Sequence, residues 1–481
     1  MSEAFSSPTI FYFLAVVFVA LFIIFMLRGI KKPELEESEN EEENFYNERL
    51  ASIFGDASLI RRVTIILLIG FVLFYFSYFQ IRGTIIEGHV KEWMNLLVRW
   101  AHVVVGIMWI GASFYFIFLE NSLNRTKNLR DEIAGDLWAV HGGGFYFVEK
   151  YKLAPDKIPK NLHWFKYEAY FTWITGFALL WIVYYMNASV TMVNPDVLDI
   201  EPGHAVIFGI ASLIVSWFVY DMLCKSPIAK NKIVFSIVGF AILTLFSWAL
   251  SQVLSPRAAY IHVGALLGTI MVGNVFRVII PAQKAMVEAA KSGRDLDPAL
   301  GQNAGLRSLH NNYLTLPVIF IMISNHFPST YGNEYNWAIL AGLTIASAII
   351  KHYWNLLEAG NNLYWMLVVG ASAILLMIYL SAPVSHEQML KNADPVSYAE
   401  IQEIFSARCI TCHSANPTDD VWKIAPNGVM FDSPDQIVKL TDKILNRVVI
   451  TKTMPQANKS GMSQEERDLI EIWIYQGASV K

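Results

Sequence analysis

The chain has 481 residues, and 37 Lys+Arg against 41 Asp+Glu leave a net charge of −4. Charged residues make up 16%, hydrophobic residues 54% and aromatics 14%, where soluble chains average about 25% charged. This excludes a disordered chain, a disulfide scaffold and an ordinary soluble enzyme, gives no case for a nucleic-acid partner, and describes an integral membrane protein with a polar part attached.

A bilayer core about 30 Å thick needs about 20 apolar residues per spanning helix. Ten windows qualify: 9–27, 63–80, 98–119, 168–187, 204–224, 232–253, 259–280, 311–326, 335–356 and 362–381. The eighth carries Pro317, which a membrane helix tolerates when neighbours satisfy the freed carbonyl. The fold class expected is therefore all-α, a polytopic transmembrane bundle of about ten spans.

Basic residues set the orientation. With the N-terminus outside, the inner segments hold Arg28, Lys31, Lys32, Arg61 and Arg62, then a second group from Arg125 to Lys160. Lys225, Lys230, Lys232, Lys284, Lys291 and Arg294 complete the inner set, whereas the outer segments hold few, such as Arg82, Lys91 and Arg257. Ten spans then place the C-terminus outside as well. The opening MSEAFSSPTI has neither a basic stretch nor a small-residue cleavage site, so the first window reads as retained.

Residues 1–62 thus read as a transmembrane helix plus an acidic cytoplasmic linker around Glu34–Glu43, and 63–381 as the polytopic membrane domain. The segment 120–166, with His141-Gly142-Gly143-Gly144, is too long and too aromatic to be only a connector. Residues 382–395 are a polar linker, and 396–481 a small soluble domain. In that domain Ser397/Glu400 and Ser463/Glu466 fit capping boxes. The first opens a helix with Ile401, Ile404 and Phe405 on one face, the second a helix with Ile470, Trp473 and Ile474, which Gly477 can end.

Cys409-Ile410-Thr411-Cys412-His413 is C-x-x-C-H, the attachment signature of c-type haem. The two thiols reach the haem vinyl groups as thioethers, and His413 meets the iron from one face. Met454, followed by Pro455, is the sixth-ligand candidate, ahead of Met462 and Met430, because thioether ligation raises the haem potential. A zinc site would need a second cysteine pair, and the remaining Cys224 ends an apolar run, where a buried thiol acts as a small hydrophobe. The soluble domain is therefore expected to be a class I-like cytochrome c with covalent haem c. Haem is attached outside the cytoplasmic membrane, the side on which the charge count also puts this domain.

Histidines cluster by depth: His102, His204, His262 and His326 near the outer side, His310 and His352 near the inner side. Ionisable residues within spans are rare and usually functional. Arg99, His102, Gly106 and Trp109 share a face of one helix, and Gly264 and Gly268 form a close-packing GxxxG on another. A bis-histidine haem b between His102 and His262 is one reading of these histidines. A substrate pocket with histidine bases is the other.

RWAHVVVGIMWIGASFYF (99–116), HGGGFYFVEKYKLAP (141–155), LHWFKYEAYFTW (162–173), HVGALLGTIMVGNVF (262–276) and HNNYLTLPVIFIMISNHFP (310–328) resemble the bacterial membrane-bound urate oxidases, or urate hydroxylases, that end in a cytochrome c domain. The resemblance covers about 63–481, but not the first window or the acidic linker. It implies oxidation of urate to 5-hydroxyisourate, an early step of purine breakdown, with electrons passing to haem c and on to a respiratory acceptor such as a cytochrome c or terminal oxidase. It also implies a multi-pass protein of the bacterial cytoplasmic membrane with the cytochrome domain on the periplasmic side. A urate monoanion wants a cation and amide-type partners, for which Arg99, Asn274, Asn311 and Asn312 are candidates. His102 or His262 would serve as base, and His310 belongs to the inner motif. Two rival classes are a membrane-anchored cytochrome c electron carrier of a respiratory complex and a purine transporter with a fused cytochrome.

Overall fold

The computed structural model describes residue 81 and residues 85–480, other than 127, 156, 160, 161, 384–389, 391 and 392. The windows 9–27 and 63–80 and the acidic linker lie outside the described residues. The chain divides into one unit of Met1–Val90 with Lys160–Leu162 and a second of Lys91–Pro159 with His163–Lys481. The second unit carries the eight remaining windows and the C-terminal domain.

Each of those eight windows falls on a helix. In chain order the helices of the membrane-type region are α1 (Ile85–Ser122), α2 (Tyr167–Val183), the short α3 (Ala188–Thr191), α4 (Pro202–Lys225), α5 (Lys232–Ser251), α6 (Pro256–Gly273), α7 (Ile280–Lys291), α8 (Pro298–Ser324), the short α9 (Pro328–Tyr331), α10 (Asn336–Glu358) and α11 (Trp365–Leu380). Among the described residues, five helical stretches are long and apolar enough to cross a membrane: Ile86–Ser122, Tyr167–Thr191, Pro202–Lys225, Lys232–Ser251 and Pro256–Lys291. The helix α11 is apolar but shorter.

The helix starts follow local chemistry. Asn231 caps α5 by accepting from the amides of Ile233 and Val234 at 3.1 and 3.2 Å. Ser255 and Asp297 cap α6 and α8, each followed by a proline at the first helical position, where its missing N–H costs nothing. Pro281 acts differently. It lacks the amide that would serve the Arg277 carbonyl, and the helix widens into a π segment, Asn274–Ile279, between α6 and α7.

The bundle is apolar on its outside as well as in its core, and it buries a set of polar residues. Ile107, Ile233, Val368 and Leu375 are about two-thirds exposed, whereas Ser212, Ser216, His262, Asn274, Arg307, Asn312 and Thr315 are buried. Soluble monomers rarely expose continuous apolar surface on this scale; a bundle in lipid does. Close packing uses small residues only in part. A Cβ on Gly264 would fall 2.7 Å from Ile321 Cγ2, but Gly268 faces nothing within 4 Å, so half of the GxxxG spacing serves helix contact. Cys224, expected buried, is half-buried at the end of α4.

The all-α expectation needs one correction. Ile133–His141 (β1) and Gly144–Tyr151 (β2) form an antiparallel hairpin. Gly142 and Gly143 sit at φ +58° and +80° in its two-residue turn, a geometry that needs two residues in the left-handed region. Trp138 faces Phe147 across the strands at 4.7 Å between ring centroids. The Gly-Gly pair between aromatic-rich runs is the signal, and by sequence alone the region reads only as a segment too long and too aromatic to be only a connector.

Residues 396–480 build a separate core from α12 (Tyr398–Arg408), α13 (Pro434–Val438), α14 (Thr441–Ile444) and α15 (Gln464–Tyr475). Both expected capping boxes are present, on Ser397/Glu400 and Ser463/Glu466. Ile401, Ile404, Phe405, Ile470 and Trp473 are buried together. Gly477, at φ +100°, ends α15.

Candidate functional site

The helix α8 lies between α6 with its π segment on one side and α10 on the other. Consecutive helical residues point about 100° apart, so neighbours on α8 serve different partners. Asn311 turns to α6: its Nδ2 donates to the Met271 carbonyl at 3.0 Å, and its Oδ1 accepts from Asn274 Nδ2 at 2.9 Å. Asn312 turns to α10, where Asn355 Nδ2 donates to its Oδ1 at 3.1 Å.

Arg307, one turn before Asn311, is 1% exposed. Its Nη1 donates to Asn274 Oδ1 at 3.1 Å and its Nη2 to Asp221 Oδ1 on α4 at 2.7 Å. The guanidinium also lies over the Tyr220 ring, 5.1 Å from its centroid. Asn274 Nδ2 donates to the Tyr220 hydroxyl at 3.0 Å, and that hydroxyl meets His310 Nδ1 at 2.8 Å. His310 stacks on Phe235 of α5 at 4.8 Å with 16° between planes. Four helices thus converge on one buried network of a cation, its carboxylate, amides, a phenol and an imidazole. The first residue of the π segment, Asn274, is at its centre. Three buried atoms here have no hydrogen-bond partner among the described residues: Arg307 Nε, Asn312 Nδ2 and Asn355 Oδ1.

The structure therefore brings together Asn274, His310 and Asn311 and leaves Arg99, His102 and His262 elsewhere. Arg99 is exposed on α1 and bonds Asn95 of its own helix at 3.2 and 2.9 Å. His102 Nδ1 sits 3.1 Å from the Thr172 carbonyl and 3.0 Å from Thr175 Oγ1, and it packs on Gly176 of α2. His262 is fully buried, with Nδ1 on the Ala258 carbonyl at 2.7 Å and Nε2 against the Tyr185 hydroxyl at 3.0 Å. A Cβ on Gly209 would fall 2.5 Å from that Nε2. An axial haem ligand needs a ring nitrogen free to face iron, and His262 has neither a free nitrogen nor the space. The bis-histidine haem b pairing of His102 with His262 does not fit this packing. His204, His326 and His352 are exposed rather than part of a cluster.

The C-x-x-C-H segment follows α12 directly. Cys409 N donates to the Phe405 carbonyl and His413 N to the Cys409 carbonyl, both at 2.9 Å, which curls the two sulfurs and the imidazole into one turn. Cys409 and Cys412 are free thiols. Burial pushes the Cys409 thiol up to about 12 and raises that of Cys412. His413 Nδ1 is 3.0 Å from the Val429 carbonyl, an arrangement that fixes Nδ1 as the protonated nitrogen and leaves Nε2 as a free electron-pair donor. Burial lowers its pKa, which favours the neutral, ligating form. Met454 packs half-buried against the domain core, and its carbonyl accepts from Arg467 Nη1 at 2.8 Å. Met462 is 3% exposed within the core, so it fills space. Two sulfurs, an imidazole held by its far nitrogen and a half-buried thioether are a donor set that suits a covalently attached haem.

Beside Cys412 lies a pocket of about 390 Å³ lined by Thr411, Asp419, Trp422, Pro455 and Lys459, with Val190 of α3 at its rim. Burial works against the Asp419 carboxylate, but Lys459 at 2.6 Å and the amides of Val421 and Trp422 hold it below the usual carboxylate range.

The family model of the urate oxidase N-terminal domain matches residues 88–382. The chain belongs to the urate oxidase N-terminal family. No curated protein and no solved structure matches it. Membership in the urate oxidase N-terminal family gives a urate-related function and points to an oxidoreductase. The matched stretch contains every residue of the buried network and ends before the C-x-x-C-H turn. Sequence reasoning missed Tyr220, Asp221, Arg307 and Asn355. Arg307 lies just ahead of the apolar window on α8, and Asp221 sits four residues before Lys225, where it reads as a surface pair. The available signal was an arginine one turn before an Asn-Asn pair on the same helix.

Proposed function

We propose that this chain is a membrane-bound urate oxidase that converts urate to 5-hydroxyisourate and delivers the electrons to a haem c held by Cys409, Cys412, His413 and Met454, and from there to a respiratory acceptor. The observation that carries this reading is the joining, in one chain, of a urate oxidase family bundle to a C-x-x-C-H turn with its histidine already oriented. The outward apolar faces and the basic-residue asymmetry support a multi-pass bundle of about ten spans in the bacterial cytoplasmic membrane, with the cytochrome domain outside.

The overall change is urate plus water to 5-hydroxyisourate, two electrons and two protons. The network on α4, α6 and α8 is where we place the organic half. Asn274 and Asn311 bond each other and, with Asp221, hold the Arg307 guanidinium, whose Nε is the open donor for an anionic ring. His310, bonded to the Tyr220 hydroxyl, is the base in the network: it accepts one proton as water adds and must release it before it accepts the second as electrons leave. Burial keeps bulk water away from the reacting face, so water is admitted at a defined place. The haem, when bound, supplies a one-electron acceptor.

The test uses the full-length protein in detergent with its haem oxidised. Urate is added without O2 and the reduced α-band is recorded. Urate-dependent reduction is expected, and haem that dithionite reduces but urate does not would sink the reading and favour the electron-carrier class.

A further inference from the structure

The buried network leaves one contact incomplete in a particular way. Asn312 and Asn355 face each other from α8 and α10, 0% and 9% exposed, and share one hydrogen bond of 3.1 Å. Asn312 Nδ2 and Asn355 Oδ1 have no partner among the described residues. Turning both amides over exchanges the atoms but not the outcome. Each carboxamide carries a donor side and an acceptor side, and one shared bond consumes one of each. The pair therefore offers one open N–H and one open C=O in either assignment.

An open buried donor or acceptor is costly, about 1–3 kcal/mol each, so such a pair is stable only if something visits it. A ligand edge that presents both an acceptor and a donor can satisfy the two open atoms, and a lactam edge, C=O beside N–H, is such a group. One turn before Asn355 on α10, Lys351 is 3% exposed with its ammonium 4.0 Å over the Phe114 ring centroid. This places a buried lysine one turn along α10 from Asn355, a source of the positive charge a monoanion needs.

We infer that Asn312 and Asn355 are a binding pair of the purine site, the open N–H of one and the open C=O of the other meeting a lactam edge of urate. The inference rests on the urate reading proposed above. Loss of a paired N–H is expected to weaken binding about tenfold or more.

Binding is measured by equilibrium dialysis of labelled urate with the full-length protein held reduced, so that no turnover occurs. The double variant Asn312→Leu/Asn355→Leu removes both open atoms and keeps the volume. It is expected to bind urate at least tenfold more weakly while its haem spectrum is unchanged and its melting temperature without urate is equal or higher. That last readout separates a binding pair from a structural one, whose removal would lower the melting temperature. Unchanged urate affinity in this variant would overturn the inference and assign the open atoms to a trapped water, leaving the urate reading intact. No urate binding by the wild-type protein would sink both. Should the double variant fail to fold, the four mono-N-methylurates decide on the wild-type protein: one isomer is expected to bind at least tenfold more weakly than urate, and equal binding of all four overturns the pairing.

Discussion

The bundle and the C-terminal segment solve opposite solvation problems with the same helices. In residues 396–480 Ile401, Phe405, Ile470 and Trp473 are nearly inaccessible, and the charged caps face outward. In the bundle Ile107 and Ile233 face outward while Arg307, Asn274, Asn312 and His262 are inside. Hydrophobic burial organises the first. The second also buries Leu266, Leu267 and Ile321, but adds interhelical hydrogen bonds between buried polar side chains. Polar contacts that would be marginal in the C-terminal segment are therefore structural and chemical at once in the bundle.

Removing the turn that joins the two functions has the largest expected effect. Cys409→Ala with Cys412→Ala should abolish haem staining on a denaturing gel while leaving membrane insertion intact, since the turn lies outside the family-matched stretch. Haem that still co-migrates with the denatured double variant would disprove covalent attachment.

The next effect tests whether polar contacts hold the bundle. Arg307→Leu leaves Asn274 Oδ1 without its donor and Asp221 with Lys225 alone. Leaving a buried acceptor unpaired costs about 1–3 kcal/mol, so the melting temperature of the detergent-solubilised protein should fall. An unchanged melting temperature would show that the network is not structural. Gly273→Ala probes the packing half of the same argument. Its Cβ would come 2.4 Å from the Trp217 ring, an overpacking that costs about 1–3 kcal/mol. Gly268→Ala, with nothing within 4 Å, should cost nothing measurable, and equal losses in the two variants would refute the contrast.

The same contrast explains what the sequence revealed. Windows of apolar residues report helices directly, so α2, α4, α5 and α10 fall within a few residues of expectation. Two helices of the C-terminal segment were legible down to their caps, because Ser397 and Ser463 satisfy helix amides through local spacing alone. The buried network was half legible. Asn274, His310 and Asn311 stood out as polar residues in apolar surroundings, but their partners depend on which helices are neighbours, and no local pattern encodes that. His262 lies apart from that network. A buried histidine invites a chemical role, yet Tyr185 and the Ala258 carbonyl occupy both of its nitrogens.

The smallest effect concerns the water-facing caps of the C-terminal domain. Ser397 Oγ and its backbone amide hold Glu400 below the usual carboxylate range. A carboxylate whose pKa is lowered on folding stabilises the fold above its unfolded pKa, near 4.3, and loses that contribution as pH falls through the folded value. Glu400→Gln should therefore flatten the low-pH end of the domain's stability curve in the full-length protein, leaving neutral pH nearly unchanged. Ser397→Ala should cost about 1 kcal/mol at neutral pH. Unfolding of residues 396–480 can be followed by the quenching of Trp473, which is buried in that core. Equal acid sensitivity of the wild type and Glu400→Gln would show that this cap carries no proton-linked stability. A Ser397→Ala loss as large as that of Arg307→Leu would contradict the division itself, since it would make an exposed polar contact in the soluble domain as important as a buried one in the bundle.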